Sequence, residues 1–160
     1  MEDQAGFVPQ KGGKYIASID LGSHTARFLV CKIVEPPALF RPVARKRFYT
    51  NLAEGFNQED TGIISSASME KAVNAVEDFA IVAEEYSVEK IVGAATGIFR
   101  RALNSQDLLN EIKTRTGVEI KTVSGEDEAE LTLKGISYAL GLSDYPDAFF
   151  DLGGSKKASG

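Results

Sequence analysis

An aspartate, a glycine and three further polar side chains directly follow an apolar run near the start of the chain, in the stretch DLGSHT at residues 20–25. A second apolar run comes next, so a tight turn between two strands is predicted. At such a turn, successive backbone N–H groups can hold an anion, and Gly22 would let the backbone approach it closely. Ser23, His24 and Thr25 add side-chain hydrogen bonds, and Asp20 could hold a hydrated Mg²⁺ that neutralises a phosphate. A polar β-turn without a ligand is the alternative.

The stretch FFDLGG, residues 149–154, repeats this pattern late in the chain. An apolar run ends at Asp151, and Gly153, Gly154 and Ser155 follow. Each Asp-x-Gly turn is a weak signal by itself. Together they predict two phosphate or metal loops that face one another, with Asp151 as the second metal ligand.

Two arginines follow a third apolar run, in the stretch ATGIFRRALN at residues 95–104. Ligands of open α/β sheets collect beyond the carboxyl ends of the strands, and an arginine there can clamp phosphate oxygens. Arg100 is therefore a candidate phosphate contact. The alternative is a solvated pair of arginines before a helix.

The stretch SGEDEAEL, residues 124–131, is typical of a helix start. Ser124 is expected to cap the helix, and the acids at positions 126 and 127 are explained as capping and dipole devices. Glu128 is less well explained in this way, and a carboxylate held toward a cleft could orient or deprotonate water. Its helix face carries small residues that predict close packing, namely Thr132, Gly135 and Ala139.

The spacing of apolar residues predicts the strands and helices that position these residues. Strands are predicted at residues 15–21, 27–34 and 40–50, joined as an antiparallel meander. A helix capped by Ser65 or Ser66 then follows, because apolar residues recur at three- and four-residue spacing: Met69, Ala72, Val73, Val76, Phe79, Ala80, Ala83 and Tyr86.

The second half of the chain alternates strands and helices. Strands are predicted at residues 90–96 and 118–123, with a further strand beginning at 147. Asn104 is expected to cap a helix that Gly117 ends, and a last helix spans about residues 126–138. The order β-β-β-α-β-α-β-α predicts an α/β fold with a mixed five-stranded sheet and flanking helices.

Composition places the chain among globular proteins without a strong attraction to polyanions. It has 160 residues, 43% apolar and 26% charged, and a net charge of −5, which argues against nucleic acid and anionic membranes as general partners. The single cysteine, Cys31, is interpreted as a small buried side chain and favours a reducing, cytoplasmic setting. Residues 1–13 are expected to be a loose arm rather than a secretory signal, and no apolar run could span a bilayer.

Taken in order, these motifs resemble those of the exopolyphosphatase and guanosine pentaphosphate phosphohydrolase (Ppx/GppA) family, in the superfamily of actin and the sugar kinases. IDLGSHTARFLV is similar to the first phosphate loop of the family, and NLAEGF (residues 51–56) to its Leu-Gly-Glu-Gly turn. TGIFRRALN resembles Thr-x-x-Leu-Arg-x-Ala-x-Asn, SGEDEAEL resembles Ser-Gly-x-Glu-Glu-Ala, and DLGG resembles the start of the second phosphate loop. The resemblance implies an actin-like, ribonuclease H-like domain at residues 14–150.

The resemblance also implies a function. The enzyme would release terminal phosphate from inorganic polyphosphate, guanosine pentaphosphate or both. Mg²⁺ on Asp20 or Asp151 would contact the substrate, Arg100 would stabilise the charge on the departing phosphoryl group, and Glu128 would position the attacking water. The two glycine-rich loops would hold phosphate oxygens, and a homodimer would form through later domains of the full-length protein.

Three departures from the family pattern stand out. His24 replaces the usual Asn, and because the charge of an imidazole depends on pH, the phosphate affinity could differ from that of the family. Phe99 replaces a Leu, which is a packing change. After Ser155 the chain reads KKASG rather than Gly-Ser-Thr-Glu. Residues 151–160 are therefore interpreted as the start of the second loop and a truncated tail, and the chain alone is expected to bind phosphate weakly and hydrolyse little.

Two other functions stay open. A non-catalytic sensor of phosphate or guanosine polyphosphates would need no base at position 128, and a kinase of the same superfamily would give an ATP-dependent product. The basic segment RPVARKRF, residues 41–48, could follow a polyanion, but charges that protect an exposed sheet edge are the favoured explanation.

Overall fold

The computed structural model describes residues 13–36, 39–57 and 59–141. It confirms the predicted element order and the α/β class with a five-stranded sheet. The predicted strand from residue 147, the second Asp-x-Gly loop and almost all of the N-terminal arm lie outside the described residues. The elements are β1 (Tyr15–Leu21), β2 (Thr25–Ile33), β3 (Phe40–Tyr49), α1 (Ser66–Glu85), β4 (Lys90–Ala95), α2 (Ser105–Thr116), β5 (Ile120–Thr122) and α3 (Gly125–Leu140).

The sheet has the strand order β3-β2-β1-β4-β5. The first three strands pair antiparallel, as the predicted meander requires, whereas β4 pairs parallel with β1 and β5 parallel with β4. The carboxyl ends of β1, β4 and β5 therefore lie side by side at one end of the sheet, which we call the carboxyl edge. Each of the segments that were predicted to carry chemistry within the described chain begins at this edge.

One face of the sheet packs on α1 and α2. Alternate residues of β1 are buried, from Tyr15 to Leu21, because side chains on a strand point alternately to its two faces. The predicted face of α1 covers them, and the Phe79 ring stacks on Phe28 with centroids 5.0 Å apart. All the predicted α1 face residues are buried except Met69 and Ala80, which are half-buried against the same core.

The third helix contacts the start of β3. Its Tyr138 hydroxyl accepts a hydrogen bond from the Phe40 N–H at 2.9 Å and donates one to the Phe40 carbonyl at 2.8 Å. Phe40 begins β3, so this contact joins the end of α3 to the outer strand of the described sheet. The close packing predicted for the Gly135 face is wrong: Gly135 and Ala139 are exposed, and no described atom lies within 4 Å of a Cβ placed on Gly135.

Local signals predicted most helix ends correctly. The Ser65 and Ser124 side chains cap α1 and α3, and Gly117 ends α2 in the left-handed region with φ 72°. Asn104 is the exception: it precedes α2, but its side chain makes no capping bond. Its amide is instead used by the backbone of Ile64, forty residues away in sequence.

Within the described part of the chain, no helix is both long enough and apolar enough to cross a bilayer.

Gly93 tests how tightly β4 and β5 approach each other. A Cβ at this position would lie 2.6 Å from Ile120 Cγ1 and 3.1 Å from the Glu119 carbonyl oxygen. We expect Gly93→Ala to lower the free energy of unfolding by about 1–3 kcal/mol through overpacking, measured by urea denaturation. The matched control is Gly135→Ala, which should raise it by roughly 0.5–1 kcal/mol because alanine favours a helix interior. An unchanged stability in Gly93→Ala would contradict the close approach.

Cys31 offers a test of burial on β2. The thiol is half-buried, and this burial raises its pKa, with the Arg45 charge opposing the shift. A raised pKa leaves less thiolate at a given pH, and the thiolate is the reactive form. Alkylation by iodoacetamide at pH 8 should therefore be several times slower in the folded chain than in the urea-unfolded chain. Equal rates in the two states would contradict this assignment.

Candidate functional site

Three loops meet at the carboxyl edge of β1, β4 and β5. Hydrogen bonds continue past the strand ends: the Thr96 N–H donates to the Leu21 carbonyl at 2.9 Å, and the Val123 N–H donates to the Ala95 carbonyl at 3.0 Å. These bonds hold the first residues of the loops next to one another. The three segments DLGSHT, ATGIFRRALN and SGEDEAEL therefore form one surface.

The turn between β1 and β2 spans residues 22–24. The Gly22 N–H donates to the Thr25 carbonyl at 2.9 Å, so it is used inside the turn and is not available to an anion. Among the described residues, the N–H groups of Ser23 and His24 have no acceptor, and His24 is exposed. Of the backbone donors at this turn, the N–H groups of Ser23 and His24 are therefore the ones without a partner within the described chain.

Gly97, rather than Gly22, permits the closest backbone approach at this edge. A Cβ on Gly22 would make only ordinary contacts, the nearest at 3.5 Å, whereas a Cβ on Gly97 would lie 2.5 Å from Ser23 Oγ. Gly97 also has φ +60°, a region that side chains disfavour. Ser23 Oγ accepts a hydrogen bond from the Ile98 N–H at 3.1 Å, which joins the turn to the segment after β4.

Gly97 was missed by the sequence-based prediction of the site, although the sequence carries a signal for it. A glycine stands directly after the strand predicted at residues 90–96 and three residues before an arginine. The structure places it first in a short 3-10 turn, Gly97–Arg100, which we call the arginine turn.

The segment NLAEGF supports the turn between β1 and β2 through the backbone. The His24 carbonyl accepts hydrogen bonds from the N–H groups of Thr50 and Asn51, at 3.0 and 3.1 Å. The Ser23 carbonyl accepts one from Ala53 at 2.9 Å. The Ser23 carbonyl shares a planar peptide unit with the His24 N–H, so these bonds also fix the direction of the His24 N–H.

The two predicted catalytic residues contact each other. Arg100 Nη1 lies 2.8 Å from Glu128 Oε2 and donates a second hydrogen bond to the Val123 carbonyl at 3.0 Å. The side chains of Arg100 and Glu128 are 34% and 35% exposed. Arg100 ends the arginine turn and Glu128 lies in the first turn of α3, so this ion pair joins the loop after β4 to the loop after β5.

Asp20 lies at the same edge and is half-buried near the end of β1. Burial raises the pKa of its carboxyl group, the nearby Arg27 charge opposes this shift, and the Glu128 charge adds to it. The Arg27 guanidinium is 3.6 Å from Asp20 Oδ2. The charge of Glu128 therefore acts on Asp20, although the two residues come from opposite ends of the described chain.

The described residues fit the predicted Mg²⁺ only in part. They contain no cluster of three or more histidine, cysteine or acidic side chains that could enclose a metal ion. Magnesium in phosphate-handling sites takes one or two carboxylates and fills its other positions with water and substrate oxygens. Asp20 can supply one such carboxylate. The other predicted ligand, Asp151, lies outside the described residues, as do the predicted phosphate contacts Gly153, Gly154 and Ser155.

Neighbouring basic residues do not join this site. The Arg101 guanidinium lies over the Phe56 ring, 5.5 Å from its centroid. The basic residues of β3 are exposed on the outer strand of the described sheet, where they fit edge protection: Arg41, Arg45, Lys46 and Arg47.

The model of the Ppx/GppA phosphatase family matches residues 29–156. The chain belongs to this family. An uncharacterised protein of Streptomyces coelicolor is 31% identical over 136 residues, and Exopolyphosphatase 1 of Mycobacterium tuberculosis is 29% identical over 136 residues. Each alignment covers 85% of this chain but 39% of the relative, so the chain spans about two-fifths of their length.

Solved structures of Ppx/GppA proteins share the fold. The Aquifex aeolicus PPX-GPPA enzyme superposes with a TM-score of 0.73 at 23% identity, covering 81% of this chain and 42% of that chain. A Cytophaga hutchinsonii exopolyphosphatase gives a TM-score of 0.71 at 24% identity, covering 78% and 38%. The expected family and α/β fold are thus confirmed.

Gly97 provides a test of the contact between the two loops. Gly97→Ala should displace Ser23 Oγ and weaken its hydrogen bond with the Ile98 N–H, because the new Cβ would overlap the hydroxyl. We expect large amide shift changes at Ser23 and Ile98 in ¹H–¹⁵N spectra. Gly117→Ala is the matched control, since it has a similar φ with no atom within 4 Å of a Cβ. It should cost about 1 kcal/mol of stability and leave these amides in place. Shifts of equal size in both variants would argue against a specific Gly97–Ser23 contact.

Proposed function

We propose that this chain provides the N-terminal wall of a phosphohydrolase site that releases terminal phosphate from inorganic polyphosphate or guanosine pentaphosphate. Family membership and the similarity to Exopolyphosphatase 1 support phosphohydrolase chemistry in general. The observation that carries the proposal is the Arg100–Glu128 pair, a cation and a carboxylate from two loops, beside Asp20 and the turn at residues 22–24.

These residues suit phosphoryl transfer because this reaction depends on positioning and charge stabilisation. The N–H groups of Ser23 and His24 would donate to oxygens of the terminal phosphate, and Arg100 would stabilise its negative charge in the transition state. Glu128 would accept a proton from the attacking water. A Mg²⁺ ion held by Asp20, and by Asp151 as predicted, would supply positive charge that neutralises the phosphate oxygens.

The ion pair is weak enough to open when a phosphate arrives. An exposed or half-exposed pair contributes roughly 0.2–1 kcal/mol, whereas an arginine–phosphate contact can be bidentate and charge-assisted. Arg100 uses Nη1 for both of its contacts in the described chain. A phosphate could therefore bind the rest of the guanidinium, or replace Glu128 on it and leave the carboxylate to act on water.

Glu128→Gln is the decisive variant. Phosphate release from long-chain polyphosphate and from guanosine pentaphosphate should be measured side by side, with and without Mg²⁺, for this chain and for the complete product of its gene. We expect Mg²⁺-dependent release by the complete product, little release by the 160-residue chain, and a loss of about 10²–10⁴-fold in Glu128→Gln because a general base is removed.

Glu130→Gln is the matched control, since Glu130 lies on the same helix, is exposed and pairs only with Lys134 in the described structure. It should keep full activity. Release that is unchanged in Glu128→Gln would contradict the assigned base. Tight binding of one substrate with no release by the unmodified protein would instead support the sensor function, for which His24 in place of the family Asn is the specific reason.

A further inference from the structure

The Asn104 side chain makes a two-point contact with one distant backbone residue. Its Oδ1 accepts a hydrogen bond from the Ile64 N–H at 2.8 Å, and its Nδ2 donates to the Ile64 carbonyl at 2.9 Å. Nδ2 also contacts Met69 Sδ at 3.2 Å, near the start of α1. Asparagine can satisfy both backbone groups because its amide carries an acceptor and two donors. The Asn104 amide therefore ties the start of α2 to residue 64, and it does not cap α2.

This contact anchors one end of the segment that carries Arg100. At the other end, the Ile98 N–H is held by Ser23 Oγ. Next to Asn104, the Leu103 N–H donates to the Gly62 carbonyl at 2.8 Å. Ile98 and Phe99 are buried between these anchors, with 0% and 3% of their surfaces exposed. Arg100 thus lies on a short segment whose two ends are both fixed to other parts of the chain.

We propose that Asn104 is a positioning residue for Arg100. Its amide fixes the arginine turn to residues 62–64, and this keeps the Arg100 guanidinium in place for Glu128 and for a bound phosphate. Without the Asn104 amide, the Ile64 N–H and carbonyl would lose their hydrogen-bond partners. Water molecules could take the place of the amide, but the arginine turn would then be free to move. The phosphate part of this inference rests on the proposed function; the positioning of the turn does not.

A purely structural role, in which Asn104 only docks α2 onto α1, can be separated from positioning. Arg115 provides an independent dock between these helices, with hydrogen bonds to Glu77 at 2.9 and 3.0 Å and to Glu70 at 3.2 Å. Within the described contacts, Arg115 does not touch the arginine turn. Arg115→Ala is therefore the matched control for weakened helix docking.

The first experiment measures binding of sodium tripolyphosphate to the 160-residue chain by calorimetry, at low salt, in a double-mutant cycle. Asn104→Ala should weaken binding about tenfold, within the usual range of coupling for linked residues. In an Arg100→Ala background, the same change should weaken binding less than about twofold, because its effect passes through Arg100. Arg115→Ala should leave affinity unchanged. A full tenfold loss in the Arg100→Ala background, or an equal loss in Arg115→Ala, would overturn the proposal.

The second experiment uses no ligand and follows amide hydrogen exchange well below the melting temperature. The reporters are the N–H groups of Ile98, Arg101 and Ala102, since the first donates to Ser23 and the other two to the Ile98 carbonyl. Asn104→Ala should increase their exchange rates several-fold beyond any increase in Arg115→Ala. Asn104→Asp retains only the acceptor for the Ile64 N–H, so it should give an intermediate increase and serves if the alanine variant does not fold.

The two experiments fail in different ways. If the unmodified chain binds no tripolyphosphate, the proposed phosphate site is wrong for this chain, and the exchange rates still decide whether Asn104 positions the turn. If the three reporter amides exchange at the same rate in Asn104→Ala, Asn104→Asp and the unmodified chain, Asn104 does not hold the arginine turn and the positioning proposal is overturned.

Discussion

The parallel pairing of β1 with β4 is the constraint on which the rest of the site depends. Its register runs from Ile16 opposite Lys90 to Leu21 opposite Ala95, so the two strands end at the same level. The loops that follow must then pass each other within van der Waals contact. Glycine at position 97 makes this passage feasible, because any Cβ there would overlap the Ser23 hydroxyl. Since the same contact carries the Ile98–Ser23 hydrogen bond, the strand register determines how the Arg100 segment meets the turn after β1.

Electrostatics at this edge follow from the same geometry. Two carboxylates, Asp20 and Glu128, lie near each other, and each has an arginine beside it, Arg27 and Arg100 respectively. Burial and then the Glu128 charge raise the pKa of Asp20, and the Arg27 charge opposes this shift without removing it. Such a site favours a further cation, which fits the hydrated Mg²⁺ expected at Asp20. The same site would repel a phosphate at Glu128 unless Arg100 or the metal ion neutralised it.

The sequence predicted those features that depend on a few neighbouring residues or on a regular period. Ser65, Ser124 and Gly117 act within one turn of their own helices, and the α1 face follows from its spacing. The errors all involve contacts distant in sequence. Asn104 was expected to cap α2 because its local context permits it, but Ile64 offers two backbone groups that the pattern could not reveal. The contact between Gly97 and Ser23 was not predicted from the sequence, and Gly135, expected to pack closely, has no described atom near it.

A network of this kind also explains why the motifs are informative as an ordered set and weak singly. Asp20, Ser23, Gly97, Arg100, Asn104 and Glu128 are each common in turns and helix starts. Hydrogen bonds connect the segments that carry them: Ser23 bonds the Ile98 N–H, Arg100 bonds Glu128, and Asn104 bonds Ile64. Removal of the Asn104 amide would leave the Ile64 N–H and carbonyl without their partner, which costs about 1–3 kcal/mol. Because each of these contacts joins segments far apart in the sequence, the motifs that supply them are informative only when they occur together and in order.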